Sequence, residues 1–399
     1  MKAINPILFL LFFSFQAISQ NVMTSSPYSM FGIGEITTDL QGQNSAMGGA
    51  AYGSRNPLLI NIDNPAGLTG MDSCMLIAEL SGFGKYESYK SSGNSNNAFT
   101  GNASAFIMGG RIMPRWYAAA SVTPYSSVGY YFNSTQDLEG SPGTIINSVF
   151  EGSGGLSKAS FSNAYLFPGN ISIGVNLSYV FGNMKQTETQ EGMIIKQEML
   201  AQAFYADFGI QYEKVLGKNT ILTLGAAYGY KQKLNVSNKT TITTTSVTED
   251  SKKNADQYLP LFVGFGGNLK HKKMAYALDY TFYQYSTLTS GDTRISFKDT
   301  HELRGGVCYS PESYSSSSYW KRIKYKAGLK ISNNYLSISK NDGILWRASA
   351  GLEFPVRNGL INTALFYENQ QIQNNKYQSN KIGLTVSCTI SELFHKIKL

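Results

Sequence analysis

The chain lacks any run of about 18 apolar residues, so no helix in it can span a bilayer. Histidine is nearly missing: His271 sits in a Lys-rich turn, His395 in a basic tail, and His301 beside Asp299 on an outward-facing position suited to an interfacial girdle. A Ser/His/acid hydrolase of the membrane interface therefore has no histidine to use, and no catalytic residue is expected. The three cysteines, Cys74, Cys308 and Cys388, show neither metal-ligand nor redox spacing, so no metal and no cofactor are expected. An excess of basic residues gives a formal charge of +8, yet no aromatic platform accompanies it in one groove, so no nucleic-acid partner is expected.

What the sequence does contain is a rhythm. From about Met75 to Ile390 it reads as fourteen amphipathic segments, each roughly the ten residues a tilted transmembrane strand needs. They run approximately over 75–84, 98–111, 116–131, 154–166, 171–183, 200–215, 220–236, 257–269, 274–285, 299–310, 323–332, 345–354, 359–369 and 380–390. Ile171, Ile173, Val175, Leu177, Tyr179 and Phe181 alternate with Ser172, Gly174, Asn176 and Ser178. Ile382, Leu384 and Val386 alternate with Lys381, Gly383 and Thr385 in the same way. Successive side chains of a strand face opposite sides, so each segment has one apolar and one polar or small face. With 26 Tyr and 22 Phe, a slightly negative mean hydropathy and no spanning helix, the chain reads as all-β: a 14-stranded antiparallel transmembrane β-barrel. Predicted lumen charges are Glu79, Asp207, Lys231, Asp279, Arg304, Lys326, Lys330, Arg347 and Glu353, in cross-strand ion pairs.

Short connectors such as Ile112–Arg115, Phe167–Asn170, Leu216–Asn219, Lys270–Lys273 and Pro355–Asn358 alternate with long polar loops near 85–97, 132–153, 184–199, 237–256, 286–298, 333–344 and 370–379. An even strand number puts both barrel ends at the short-connector rim, expected to be periplasmic. Arg111, Arg115, Lys218, Lys270, Lys272, Lys273, Lys321, Arg322 and Arg357 gather there, where lipid headgroups would meet them. Cys74 and Cys388 lie on strands that meet on closure, and register decides whether they approach closely enough for a disulfide.

Residues 1–19 read as a signal peptide: Lys2, an apolar stretch from Ile7 to Phe15, and the small-x-small site Ala17-Ile18-Ser19. Export and barrel strands together place the chain in a Gram-negative cell outer membrane. Residues 20–73 are expected to form an N-terminal hatch or plug in the lumen, which fourteen strands leave too wide for wall side chains to fill. A periplasmic extension is the alternative. The barrel takes 74–390, and 391–399 is a periplasmic basic tail.

The plug, the triplet Asn64-Pro65-Ala66 and fourteen strands resemble the FadL-type family of outer-membrane transporters for hydrophobic compounds. The opening Ser25-Ser26-Pro27-Tyr28-Ser29 with Gly32-Ile33-Gly34, and the ending Leu384-Thr385-Val386-Ser387, resemble its Bacteroidetes branch. That resemblance implies capture of a hydrophobic small molecule against the hatch and sideways exit into outer-membrane lipid through an inward kink in a strand. Pro124 is the candidate for the kink. The ligand and hatch residues it points to are Phe31, Ile33, Leu58, Leu59, Ile60 and Ile62, with Asn64, Pro65 and Ala66 shaping the turn; static packing of a plug is the alternative role. Pro65 biases Asn64 toward an extended backbone. Relatives of this barrel also serve as subunits of outer-membrane complexes, including type IX secretion, so a docking partner in an assembly or secretion machine is the second expected function.

Overall fold

The computed structural model describes residues 24–37, 42–91, 94–137, 145–244, 248–253, 257–288, 295–311, 318–338, 343–372 and 377–393. The expected signal peptide and the end of the basic tail lie outside them. Fourteen antiparallel strands form one closed barrel. In chain order they are β1 Met75–Ser91, β2 Asn94–Met113, β3 Trp116–Asp137, β4 Ile145–Phe167, β5 Ile171–Gln190 and β6 Met193–Gly217. Next come β7, Thr220–Gly229 continued by Gln232–Thr244, and β8, Gln257–Leu259 continued by Phe262–His271. The last six are β9 Met274–Tyr283, β10 Thr300–Tyr309, β11 Lys324–Asn333, β12 Gly343–Val356, β13 Gly359–Ile372 and β14 Tyr377–Leu393. β1 closes on β14 over its whole length, from Met75↔Leu393 to Ser91↔Tyr377.

The alternation of the sequence becomes the two faces of this wall. Leu80, Phe161, Leu177, Phe208, Leu224, Leu278, Leu303, Leu365 and Ile382 are exposed outward, while Glu79, Ser162, Ser172, Asn176, Gln211, Thr281 and Thr389 are buried inward. An apolar belt facing out and a polar lumen is the inverse of a soluble sandwich, and lipid is the solvent that stabilises it.

Turns at one rim are tight. Arg115, Asn170 and Lys272 take left-handed backbone there, closing the β2–β3, β4–β5 and β8–β9 connections in two or three residues. At the other rim the strands run beyond the predicted ends. Much of the predicted loop sequence 132–153 and 184–199 is paired β-ribbon, and Thr240–Thr243 pairs on both sides, with Thr248–Ser251 and with the start of β6. Loop residues Ile295–Phe297 and Leu336–Ile338 pair with each other over that rim.

One expectation is corrected and one open question is answered. Lys231 is not a lumen residue: it is exposed, with Nζ 4.1 Å from the Tyr258 ring centroid. The strand is interrupted at Tyr230–Lys231, and inward parity passes from Thr223, Gly225 and Ala227 to Leu234 and Val236. Period-two counting along one unbroken strand could not register that reversal. Cys74 and Cys388 are both free thiols. Cys388 pairs with Leu80, whereas Cys74 precedes Met75, which pairs with Leu393, so register holds the two cysteines several residues apart along the wall.

Candidate functional site

An irregular N-terminal stretch has a backbone whose N–H and C=O groups no ladder satisfies, so if it is buried, side chains must satisfy them. The polar face of the wall does this for residues 43–62. Asp279 Oδ2 accepts from the Ala51 and Tyr52 amides at 2.6 and 2.8 Å. Arg304 donates to the Gly49 carbonyl at 3.1 Å, Lys326 to Gln43 at 3.0 Å and Lys270 to Arg55 at 2.6 Å. Asn176 donates to Ile62, and Gln211 to Tyr52. The sequence showed Asp279, Arg304 and Lys326 as lumen charges in ion pairs, Lys270 as a rim residue and Asn176 on a polar strand face. Their second role, as partners for an irregular backbone, needed the fold to be seen.

The Asn64-Pro65-Ala66 triplet opens a 3-10 turn, Pro65–Gly70. Asn64 is extended (φ −131°, ψ 100°), as the following proline requires. Its side chain caps the turn by accepting from the Ala66 amide at 3.2 Å, and it donates to the carbonyls of Tyr52 at 2.9 Å and Ile210 at 3.2 Å. The turn lies against Gly174 of β5 and Gly209 of β6, where a Cβ would collide with Ala66, Pro65 or Asn64. Glycine is required at those two positions by close approach alone.

The nine residues singled out in the sequence do not form one pocket. Ile33, with Phe31 at its margin, joins an apolar cluster in the half of the lumen nearer the long loops, with Val128, Tyr130, Leu156, Met184, Leu234 and Phe297. Ile60 and Ile62, with Leu58 at their margin, join a second cluster with Leu68, Met71, Ile77, Ile107 and Ala119. Leu59 is buried, and Asn64, Pro65 and Ala66 form the cap just described.

A charged group joins the N-terminal stretch to the wall; sequence reasoning named Arg304, Lys330 and Arg347 of it but missed Glu35, Glu302, Glu368 and the pairing of Lys381. Lys381 of β14 contacts Glu35 at 2.5 Å and Glu368 at 3.2 Å, and Arg347 contacts Glu368 at 2.8 Å. Lys330 and Arg304 hold Glu302 at 2.8 and 2.6 Å. Of these, Glu35 lies outside the spanning strands. Burial alone would raise its carboxyl, but Lys381 and then Lys85 outweigh burial and hold it below the usual carboxylate range. The signal available in the sequence was parity, since Lys381 and Arg347 both fall on polar faces. A cavity of about 110 Å³ lies among Glu35, Lys85, Arg347, Glu368 and Lys381. A second, of about 150 Å³, lies among Tyr52, Tyr125, Tyr205, Phe262, Tyr283 and Arg304. Among the described residues no group of three or more acidic, His or Cys side chains could hold a metal ion.

The wall opens between β2 and β3. Their ladder ends at Phe106↔Val122, although both strands continue for many residues beyond. Just past that point β3 is irregular at Pro124, where its register with β4 shifts before Ser126. The freed edge of β3 is taken by the N-terminal stretch. Glu35↔Ser127 and Ile36↔Ser126 pair as a short antiparallel ladder. The Thr37 amide donates to Tyr125 at 3.0 Å, Ser126 Oγ to Ile33 at 2.6 Å and Ser29 Oγ to Gly129 at 3.1 Å.

A closed fourteen-stranded barrel with an outward apolar belt defines the class of transmembrane β-barrels by fold. Solved structures agree. The P. putida toluene transporter TodX matches with a TM-score of 0.62 at 13% identity, over 90% of this chain and 100% of that one. The CymD monoaromatic hydrocarbon channel matches at 0.59 and 14%, over 90% and 100%. A Pseudomonas aeruginosa FadL homologue matches at 0.57 and 13%, over 92% and 100%. These likenesses establish the fold. The BamG family model matches residues 1–398, and the chain belongs to the BamG family. No curated protein matches the sequence.

Proposed function

We propose that the protein is an outer-membrane channel for small hydrophobic or amphipathic compounds, with residues 20–73 as a plug and both barrel ends periplasmic. The observation that carries this reading is the seam between β2 and β3, covered by Glu35–Ile36. A transmembrane wall does not leave strand edges facing lipid without a reason, because unpaired backbone groups in hydrocarbon cost several kcal/mol each, on the order of magnitude set by transfer data. Here the edge of β3 is satisfied by a segment that can leave. Withdrawal of that segment would connect the lumen to the membrane sideways, at Pro124. Phe31, Ile33, Leu58, Leu59, Ile60 and Ile62 are the apolar surfaces such a ligand would meet, and Asn64-Pro65-Ala66 anchors the other end of the plug. The resemblance to hydrocarbon channels of the same fold supports this substrate class. No step calls for catalysis.

A second reading, a non-transporting barrel subunit of an outer-membrane complex, is favoured by one observation. The cavities of about 110 and 150 Å³ are small and partly charged, and an apolar cluster fills the lumen near the long loops. The family name points the same way, toward an outer-membrane assembly. The deciding experiment is purification in mild detergent, with mass spectrometry of co-purifying proteins and extracted lipids. A monomer holding a bound amphiphile supports the channel. A stoichiometric outer-membrane partner without enriched lipid supports the assembly subunit.

A further inference from the structure

The barrel wall has a second interruption, far from the first. β6 and β7 pair up to Asp207↔Gly229 and resume at Gln202↔Asn235. Between those pairs, residues 203–206 of β6 face 230–234 of β7 with no ladder and with one extra residue on β7. The neighbouring β7–β8 ladder breaks at the same height. It stops at Gly229↔Phe262 and resumes at Gln232↔Leu259, leaving Tyr230 and Lys231 opposite Pro260 and Leu261. Pro260 has no N–H to give. Inward parity reverses on both strands across the break, from Gly229 to Leu234 and from Gly264 to Leu259. The long-loop half of the hairpin is therefore turned relative to the lower half, and the β6 edge is the side where the wall parts.

Both ends of this parting are furnished. On the inside, Tyr205, Pro260 and Phe262 line the cavity of about 150 Å³. An apolar cavity of that size holds a benzene ring; here rings line one part and charged groups another, which suits a ring or short chain bearing one polar group. On the outside, Phe204 is 78% exposed, with the Tyr179 ring 5.0 Å from its own. Lys231 stands over Tyr258 on the same outer surface. Beside the parting, on its inner side, the rings of Tyr205 and Tyr230 pack in the apolar lumen cluster with centroids 5.5 Å apart. Gly229 leaves the room that the Tyr205 hydroxyl occupies.

We propose that the β6–β7 parting is a second lateral portal. Through it a small amphiphile with one ring or a short chain moves between the internal cavity and the surrounding lipid, and Tyr205 and Tyr230 form its gate. This rests on the channel reading above and adds to it a route distinct from the β2–β3 seam.

The test uses two disulfide locks in a Cys74→Ser, Cys308→Ser, Cys388→Ser background of the full chain. Ala203→Cys with Leu234→Cys locks the β6–β7 parting; Ala105→Cys with Thr123→Cys locks the β2–β3 seam. Uptake of radiolabelled p-cresol, one ring bearing one polar group, is followed in cells carrying each protein, before and after dithiothreitol. The expected result is that the β6–β7 lock slows uptake part of the way toward that of cells lacking the protein, the remainder passing the β2–β3 seam, and that reduction restores it, which also shows the locked barrel to be folded. Unchanged uptake under the β6–β7 lock, with loss under the β2–β3 lock alone, overturns the second portal and leaves the channel standing. Uptake by the unlocked protein no faster than by cells lacking it overturns both. Ala203→Trp, which fills the parting from within without a crosslink, should slow uptake irreversibly; normal uptake by that variant counts against the portal.

Discussion

The Asn64 carboxamide oxygen occupies the space a side chain on Gly209 would need. One residue is in the N-terminal stretch and the other in the middle of β6, so a single missing methyl group couples the two. Gly209→Val should displace the Asn64-Pro65-Ala66 turn and cost about 1–3 kcal/mol, as overpacking does. The check is the temperature at which the folded barrel loses its altered gel mobility, together with new protease cleavage before residue 73. A variant that melts and cleaves like the parent would refute the coupling.

Asp279 makes a second prediction. Asp279→Leu leaves the Ala51 and Tyr52 amides without an acceptor, at roughly 1–3 kcal/mol for each unsatisfied group. Hydrogen exchange at those two amides should accelerate while exchange in β9 and β10 stays slow. Equal protection in both proteins would show that another acceptor takes over.

The Glu35–Lys381 pair makes the covering of the β2–β3 seam sensitive to acid. Because the folded-state carboxyl is held low, the stabilisation is present above the ordinary carboxylate pKa and is lost as pH falls through the lower folded value. A cysteine placed at Ile36, with the three native cysteines replaced by serine, should become reactive to 2,2′-dipyridyl disulfide, a reagent that still attacks thiols at acid pH, only in that acid range. Glu35→Gln should make it reactive at neutral pH and remove the pH dependence. Reactivity that ignores both pH and Glu35→Gln would count against an ionic latch.

The cysteines give a simple check on register. Cys74 is exposed and Cys308 buried, and all three thiols are free. Under native conditions a thiol reagent should modify Cys74 first, and reduction should leave gel mobility unchanged. A mobility shift on reduction would mean that β1 and β14 meet in a different register.

The barrel was legible because period two survives in lipid as it does in water, with the faces exchanged. Each strand carries that pattern in its own residues, as Ile171 to Phe181 and Ile382 to Val386 do. The long-loop half was not, because its ribbons of Thr, Ser, Asn and Glu carry no apolar face once they leave the membrane. Lys231 was misplaced because a break that reverses parity is invisible to a count that assumes continuity. Of the site, the sequence marked Asn64 and Pro65 through the geometry proline imposes. It could not show that Phe31 and Ile33 would part company with Ile60 and Ile62. Nor could it pair Glu35 with Lys381, since closure alone brings residues so distant in sequence together.

The wall side chains that hold the N-terminal stretch come from early and late strands alike, from Glu87 of β1 and Ser126 of β3 to Ser349 of β12 and Lys381 of β14. Only when the late strands are assembled can that stretch complete its bonds. Residues near the start of the described chain therefore complete their contacts only when strands made last are in place. A barrel closing by pairing its first strand with its fourteenth is already slow, in the way long-range contacts are. Here the closing strand also carries Lys381, the partner of Glu35, so closure of the wall and completion of the N-terminal contacts are coupled.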